Sequence, residues 1–292
     1  MANLPGVFVP SHRPLYLHKP VDNIPTQVNA REQIFGTYLA ERRKVFSLGT
    51  RNESPSHTLK SALISLAVFG YGNRAVDQNH DAVETFEGFE RVLALVLPDT
   101  LGFKQLKVEV PEVILRTNTG DIPLDAVSGG VAAIIDIAWQ IFLYSTIREE
   151  FTVVIDEPET HLHPALQRSL MPSLLTAFGG AKFVIATHNP LVISSVADSR
   201  IVVLDYERDR VVSTELNSVS KSADASTILR SALGLETTLP KWVEIKLREL
   251  EDWFSTEEFS EESAEELRLR LKNIGLERYA SEILARVADR HL

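Results

Sequence analysis

The sequence contains no cysteine, which excludes disulfide bonds, thiolate zinc ligands and a cysteine nucleophile. No apolar run approaches the roughly 18 residues needed to cross a membrane. The first residues also lack the charged start and apolar centre of a signal peptide. These absences predict a soluble, cytoplasmic protein with no membrane contact.

Acidic residues outnumber basic residues. The sequence has 40 Asp and Glu but 30 Lys and Arg, which gives a formal net charge of −10. This balance argues against a protein coated in nucleic-acid-binding surface, although a local basic patch is compatible with it. With 292 residues and 44% hydrophobic content, the chain can bury a substantial core in one large or two unequal domains.

The spacing of apolar residues predicts a helical first part and an alternating second part. A Pro-rich extended stretch is followed by three amphipathic helices and two short strands. Beyond them a long apolar helix precedes buried strands that alternate with helices, at 131–144, 152–155, 164–178, 182–186 and 201–204. Such alternation predicts an α/β fold in which helices cover both faces of a mostly parallel sheet.

Three regions follow from this pattern. Residues 1–123 are predicted to form an extended segment and a helical lobe, and residues 124–216 a catalytic lobe. From about residue 217 the patterns are helical only, which predicts a helical C-terminal segment over 217–292.

Two groups of residues carry the chemistry of a phosphate site. An apolar strand ends on Asp156 and Glu157, which is how a buried strand delivers two carboxylates to the edge of a sheet. Ser128, Gly129 and Gly130 open the long apolar helix, where free N–H groups can approach an anion closely. Taken singly, each has an ordinary interpretation, as a sheet-edge acid pair and as a helix cap.

Three histidines lie near these groups. His161 and His163 form a His-x-His pair in the loop after Glu157, but two histidines without further ligands are more often loop hydrogen bonders than a zinc site. His188 follows an apolar strand, from which an imidazole can reach a terminal phosphate, although a single histidine there can also be structural.

Together these motifs resemble the heads of ABC-type ATPases of the SMC-like, RecF-like and OLD-like group. The matching residues are SGG at Ser128–Gly130, VVIDE at Val153–Glu157, PETHLHP at Pro158–Pro164 and THNP at Thr187–Pro190, in the family's order. The helical region before them resembles bacterial defence ATPases of the Septu and retron-associated type.

The resemblance implies a P-loop NTPase-like fold that binds ATP and Mg²⁺ between two heads. It implies that Asp156 holds Mg²⁺ through water, Glu157 acts as general base and His188 contacts the γ-phosphate. Ser128, Gly129 and Gly130 would cap the nucleotide of the other subunit, either a second copy or a partner ATPase.

A P-loop of the form GxxxxGK[ST] is absent, because no glycine in the sequence is followed by lysine. The family places that loop, with its strand and helix, ahead of the motifs recognised above, so the fold is expected to be incomplete at its N-terminal edge. Truncation is the favoured explanation. The alternatives are a split ATPase and a degenerate head whose SGG signature motif, Ser128–Gly130, serves a partner. Asp156 and Glu157 argue against degeneracy, since such a head has no use for them.

The leading functional hypothesis is a dimeric ATPase motor or sensor in a DNA-related or anti-phage defence system. No Asp-x-Asp pair occurs in the sequence, so an effector nuclease is expected on another chain, with DNA as a further candidate ligand. The alternative hypothesis is a non-catalytic interaction subunit. A membrane transporter subunit is disfavoured, since the PETHLHP loop resembles the SMC-like branch.

Overall fold

The structure is a computed structural model that describes residues 5–13, 16–25, 31–48, 55–215, 239–256, 260–281, 283 and 284. The chain divides into two compact units, Met1–Ile228 and Leu229–Leu292. The predicted boundary between residues 216 and 217 lies outside the described residues. None of the helices that could be searched in the described part is long and apolar enough to span a membrane.

In its described residues the larger unit contains six α-helices and three separate β-sheets. Its elements, in chain order, are β1 (Gly6–Val9), α1 (Arg31–Leu48), α2 (Pro55–Gly70), α3 (His80–Val96), β2 (Phe103–Glu109), β3 (Glu112–Thr117), β4 (Gly120–Pro123), α4 (Gly129–Ser145), β5 (Phe151–Asp156), α5 (Pro164–Ala177), β6 (Ala181–Ala186), α6 (Pro190–Ile193), β7 (Val202–Glu207) and β8 (Arg210–Glu215).

The central sheet is parallel, with the strand order β1-β5-β6. β5 is the middle strand, and its alternate residues Phe151, Val153 and Ile155 are buried against the core. The opposite face is more open, because Phe8 on β1 is 57% exposed and Val184 on β6 is 55% exposed. The parallel sheet flanked by helices confirms the predicted α/β, P-loop NTPase-like fold class.

Helix α4 forms the centre of the core, because apolar residues lie on every side of it and its buried polar residues Asp136 and Gln140 hydrogen-bond to each other. Fourteen of its seventeen residues are buried, so it is a core helix rather than an amphipathic surface helix. Trp139 is fully buried, and its ring meets Phe89 of α3 edge to face, with the centroids 4.6 Å apart. This helix therefore joins the helical lobe to the parallel sheet.

The last predicted strand of the sheet is placed differently by the structure. The sequence pattern at 201–204 predicts a member of the parallel sheet, but β7 pairs antiparallel with β8 in a separate hairpin. Leu204 and Tyr206 are 70% and 68% exposed. The prediction of a parallel strand here was wrong, because the apolar spacing does not specify the neighbouring strand.

A buried ion-pair network ties the helical lobe to the segment that leads into α4. The ammonium of Lys60 on α2 is fully buried and pairs with Asp125 at 2.7 Å and with Glu112 of β3. Asp125 also accepts hydrogen bonds from the ring of His18 and from the backbone N–H of Lys19. Lys60, His18 and Lys19 therefore hold Asp125 in place, three residues before Ser128.

In its described residues the smaller unit has two helices, α7 (Lys241–Thr256) and α8 (Glu261–Asn273), followed by a short 3₁₀ turn. Ser260 caps α8 through reciprocal hydrogen bonds with Ser263. The unit has its own apolar cluster, which includes Phe254, Leu267 and Leu271.

Replacing Lys60 by methionine should destabilise the larger unit. The substitution leaves the buried Asp125 carboxylate without its cation, which costs about 3–5 kcal/mol when one partner of a buried pair is removed. Urea unfolding measures this cost. Lys107→Met, which breaks an exposed pair with Glu109, is the control and should change stability by less than about 1 kcal/mol. Equal effects of the two substitutions would contradict the prediction.

The effect of Lys60→Met should also depend on pH. Burial acts to raise the pKa of Asp125, but hydrogen bonds from Lys60, His18 and Lys19 outweigh it and lower the pKa. A lowered pKa means that Asp125 stabilises the fold above its usual pKa of about 3.9 and that this contribution is lost as the pH falls through the lowered value. The stability difference between wild type and Lys60→Met should therefore shrink as the urea midpoints are followed from pH 7 towards pH 3.

Candidate active site at the carboxyl ends of β5 and β6

The predicted acids, Asp156 and Glu157, and His188 meet at one edge of the parallel sheet. Asp156 is the last residue of β5 and pairs in register with Ala186, the last residue of β6. Glu157 and His188 follow these strand ends, and the Glu157 Oε1 atom lies 3.3 Å from Nδ1 of His188. Both side chains are open to solvent, with 41% of Glu157 and 73% of His188 exposed.

The backbone of Glu157 is held in an uncommon conformation. Its φ of 44° lies in the left-handed region, as does the φ of 71° at His161. Each such non-glycine residue costs on the order of 1–3 kcal/mol. The Glu157 N–H donates to the carbonyl of Ala186 at 2.8 Å, and the carbonyl of Glu157 accepts from Thr160 at 3.1 Å. These bonds fix the direction in which the Glu157 side chain leaves the sheet.

A second set of hydrogen bonds joins the loop after β5 to the loop after β6. The hydroxyl of Thr187 donates to Glu159 Oε1 at 2.6 Å and accepts from the N–H of Asn189 at 2.9 Å. The Asn189 amide donates to Gln167 of α5 at 2.8 Å. Because Thr187 and Asn189 flank His188, this network holds His188 in place.

Glu159 is a buried acid that the sequence patterns did not single out. It is 8% exposed, and its Oε2 atom has no hydrogen-bond partner in the described structure. A buried carboxylate oxygen of this kind normally needs a donor or a cation. The signal that could have identified Glu159 is its position in the loop after β5, two residues beyond Glu157.

The residues Ser128, Gly129 and Gly130 begin helix α4. Ser128 caps the helix by accepting from the N–H of Val131 at 3.4 Å. A Cβ atom at Gly130 would lie 3.2 Å from the carbonyl oxygen of His161, so glycine allows the helix to approach the loop closely. Ser128 and Gly129 are exposed and can be reached by a ligand or a second protein molecule.

The two loop histidines have separate positions. His163 caps α5 by accepting from the N–H of Ala165 at 3.3 Å. Among the described residues, the one group with metal-ligand spacing consists of His18, Glu112 and Asp125. The ammonium of Lys60 already binds both of its carboxylates, which accounts for that group as an ion-pair network.

Arg13 is the second residue of this region that the sequence patterns missed. The Pro-rich first stretch gave no strand signal, yet β1 lies beside β5 with Val9 in register with Ile155. Four residues after β1, the buried guanidinium of Arg13 reaches the backbone of the loop that follows β5. A basic residue shortly after an apolar pair is too common a pattern to have predicted this contact.

The residues present fit a hydrated Mg²⁺ ion better than they fit a whole nucleotide. Asp156 and Glu157 supply carboxylate oxygens at an exposed strand edge, which suits Mg²⁺ because this ion keeps several waters. A triphosphate needs converging N–H groups and a cation, and the sequence has no Gly-Lys pair to supply them in the usual way. The side chains at this edge therefore suit the hydrated Mg²⁺ of a Mg²⁺–nucleotide complex, and not the triphosphate itself.

Comparison with protein families gives a match over most of the chain. The family model described as "AAA domain, putative AbiEii toxin, Type IV TA system" matches residues 14–194. This range includes Ser128–Gly130, Asp156, Glu157 and His188.

Curated relatives match smaller parts. The "Retron Vc95 probable ATPase" of Vibrio cholerae serotype O1 biovar El Tor is 36% identical over 84 residues, which are 27% of this chain and 16% of that protein. The "Septu protein PtuA" of Bacillus thuringiensis is 25% identical over 170 residues, which are 51% of this chain and 42% of that protein. The matched regions thus make up less than half of either relative.

Among solved structures, the SMC head domain from Thermotoga maritima is similar to this chain. The match has a TM-score of 0.37 and 19% identity, and it covers 45% of this chain and 46% of that structure.

Replacing Thr187 by valine should loosen the link between the two loops. Valine keeps the shape but removes the hydroxyl, which leaves the buried Glu159 carboxylate without its donor and costs about 1–3 kcal/mol. Unfolding in urea measures the loss. The control is Thr176→Val, at an exposed hydroxyl that donates to Pro172 within α5, with an expected change below about 0.5 kcal/mol. Adding Glu159→Gln should recover part of the loss at Thr187, and strictly additive effects would contradict the proposed link.

Proposed function

We propose that this chain, which belongs to the AAA-domain family whose model matches residues 14–194, is the hydrolytic part of an ATPase module. In this proposal Asp156 holds Mg²⁺ through water, Glu157 orients the attacking water and His188 contacts the γ-phosphate. The catalytic lobe is residues 124–216 together with β1; in the sequence, the helical lobe precedes residue 124 and the C-terminal segment follows residue 216.

The observation that carries the proposal is the meeting of Glu157 and His188 beside Asp156. Two acids and an imidazole from adjacent parallel strands share one exposed edge, and the Glu157 and His188 side chains are 3.3 Å apart. The carboxyl ends of parallel strands are where α/β folds place ligands. A carboxylate next to a metal-holding acid can orient water for attack on a phosphate.

The charge of the site also supports a metal-bound nucleotide. Asp156 and Glu157 repel a free triphosphate, so an anionic ligand needs a cation between it and these acids. Mg²⁺ supplies that charge when it is bound and stabilises the charge that develops during phosphoryl transfer. The role of the acids is then to orient the hydrated ion and the water.

We propose that the phosphate-binding loop reaches the site from a polypeptide segment that adds beside β6. In the described part of the chain β6 has one strand partner, so its other edge is available. Val184 of β6 and Phe8 of β1 are exposed in the same register row across the sheet. An apolar row of this kind favours cover by protein.

Ser128, Gly129 and Gly130 are assigned to a nucleotide held by a second molecule. The exposed position of Ser128 and Gly129 at the start of α4 supports this assignment, since the N-terminal N–H groups of a helix favour phosphate. The module would then act as a dimer, with either a second copy or a partner ATPase across the nucleotide.

The similarity to a retron ATPase and to a Septu protein supports a role in anti-phage defence. There the module would act as a motor or sensor that controls an effector nuclease on another chain, with DNA as a candidate ligand. These relatives are much longer than the matched regions, so this role is the broadest part of the proposal.

Replacing Glu157 by glutamine should abolish hydrolysis while leaving Mg²⁺–ATP bound. The amide keeps the size of the side chain but cannot take up a proton, which lowers kcat by about 10²–10⁴-fold. Turnover is measured for this chain and for a version extended upstream in frame until a P-loop is included. Glu150→Gln, at an exposed acid just before β5, is the matched control and should turn over normally.

The alternative function, a non-catalytic interaction subunit, gives a different result. In that case neither form binds or hydrolyses ATP, and Glu157→Gln changes nothing. Turnover that persists in Glu157→Gln would show instead that another residue orients the water.

A further inference from the structure

The guanidinium of Arg13 lies beneath the loop that carries Glu157. Its Nη2 atom donates to the carbonyl of Glu157 at 2.8 Å, to Pro158 at 3.2 Å and to Thr160 at 3.4 Å. Its Nη1 atom donates to the carbonyl of Asp156 at 3.4 Å. Arg13 is 5% exposed, so these bonds are made largely away from solvent.

The position of Arg13 follows from the pairing of β1 with β5. Because the two strands are parallel, the chain leaving β1 emerges at the same edge as Asp156 and Glu157. The Nη1 atom of Arg13 also donates to the carbonyl of Pro10 at 3.2 Å. This bond holds the guanidinium against its own segment, so its fork is aligned before the loop packs on it.

The loop needs such a donor. Glu157 and His161 both have left-handed backbone angles, and the turn between them directs several carbonyl oxygens towards one point. Converging carbonyl dipoles repel each other unless hydrogen-bond donors separate them. Arginine has five N–H groups in one plane and keeps its charge when buried, so it can serve several carbonyls at once.

The other side of the loop is fixed by the sheet. The Glu157 N–H donates to the carbonyl of Ala186 at the end of β6. The backbone of Glu157 is therefore held between Ala186 on one side and Arg13 on the other. The side chain that leaves this fixed backbone is the one that meets His188 at 3.3 Å.

We infer that Arg13 is a positioning residue for Glu157. Its guanidinium holds the loop in the conformation in which the carboxylate meets His188, and it acts through the loop backbone rather than on the nucleotide. The catalytic part of this inference rests on the proposed ATPase function, whereas the positioning of the loop does not.

The first experiment follows amide hydrogen exchange in this chain without nucleotide. The N–H groups of Glu157, Thr160 and Leu162 are hydrogen-bonded and report on the loop. In Arg13→Lys they should exchange at least about 10-fold faster, because an ammonium has three donors and lacks the planar fork. Amides within β5 and the melting temperature should stay close to wild type. Arg200→Lys, at an exposed pair with Glu215, is the matched control.

The second experiment measures turnover in the version extended upstream to include a P-loop. Arg13→Lys should lower kcat at least about 10-fold with KM for ATP changed less than about threefold, because the loop positions the water without binding the nucleotide. Arg13→Ala should lose more, and methylguanidinium ions added to it should restore part of both the turnover and the loop protection.

The outcomes distinguish the positioning of the loop by Arg13 from its effect on ATP turnover. Unchanged loop exchange in both Arg13 variants overturns the positioning role. Exchange that rises equally throughout the sheet, with a fall in melting temperature in Arg13→Lys, also overturns it and assigns Arg13 to general stability. If wild type turns over no ATP in either form, the proposed function fails while the exchange experiment still decides the role of Arg13. A fall in kcat that tracks loop exchange across the variants supports both.

Discussion

The parallel pairing of β5 with β1 on one side and β6 on the other is the constraint on which the candidate site depends. Parallel strands end at the same edge, so three distant parts of the chain deliver their loops to one place. β5 brings the two acids, β6 brings His188 and β1 brings Arg13. If β6 ran antiparallel to β5, His188 would leave from the opposite edge and its contact with Glu157 would not form. If β1 ran antiparallel to β5, Arg13 would not reach the loop that follows β5.

Two networks convert this topology into a defined geometry. Near the sheet, Arg13 and the Thr187–Glu159 pair fix the loops through short, largely buried hydrogen bonds. Farther away, Lys60 holds Asp125 and so fixes the chain before α4. Both networks use buried charge, which is costly unless it is well paired, and each therefore tolerates few alternative arrangements. Through Lys60, the helical lobe helps to position Ser128.

The elements with strong local patterns could be predicted from the sequence. The long apolar α4, the strand ending on Asp156 and helix α5 were found close to their observed limits, because each depends on its own residues. β1 was missed, since four residues in a Pro-rich stretch show a strand only through pairing with β5. Arg13 and Glu159 were missed for the same reason: their roles depend on partners more than 25 positions away. The strand near residue 202 was found, but its antiparallel partner was not.

The outer edge of β6 carries one further consequence, for self-association. Among the described strands this edge is unpaired, and an unpaired edge with an exposed valine invites pairing with another β-strand. Natural proteins commonly oppose this with a lysine on the edge strand. Lys182 is exposed on β6, two residues from Val184. With a chain of net charge −10, molecules also repel each other at neutral pH. A single lysine and the overall charge thus oppose edge-to-edge aggregation at β6.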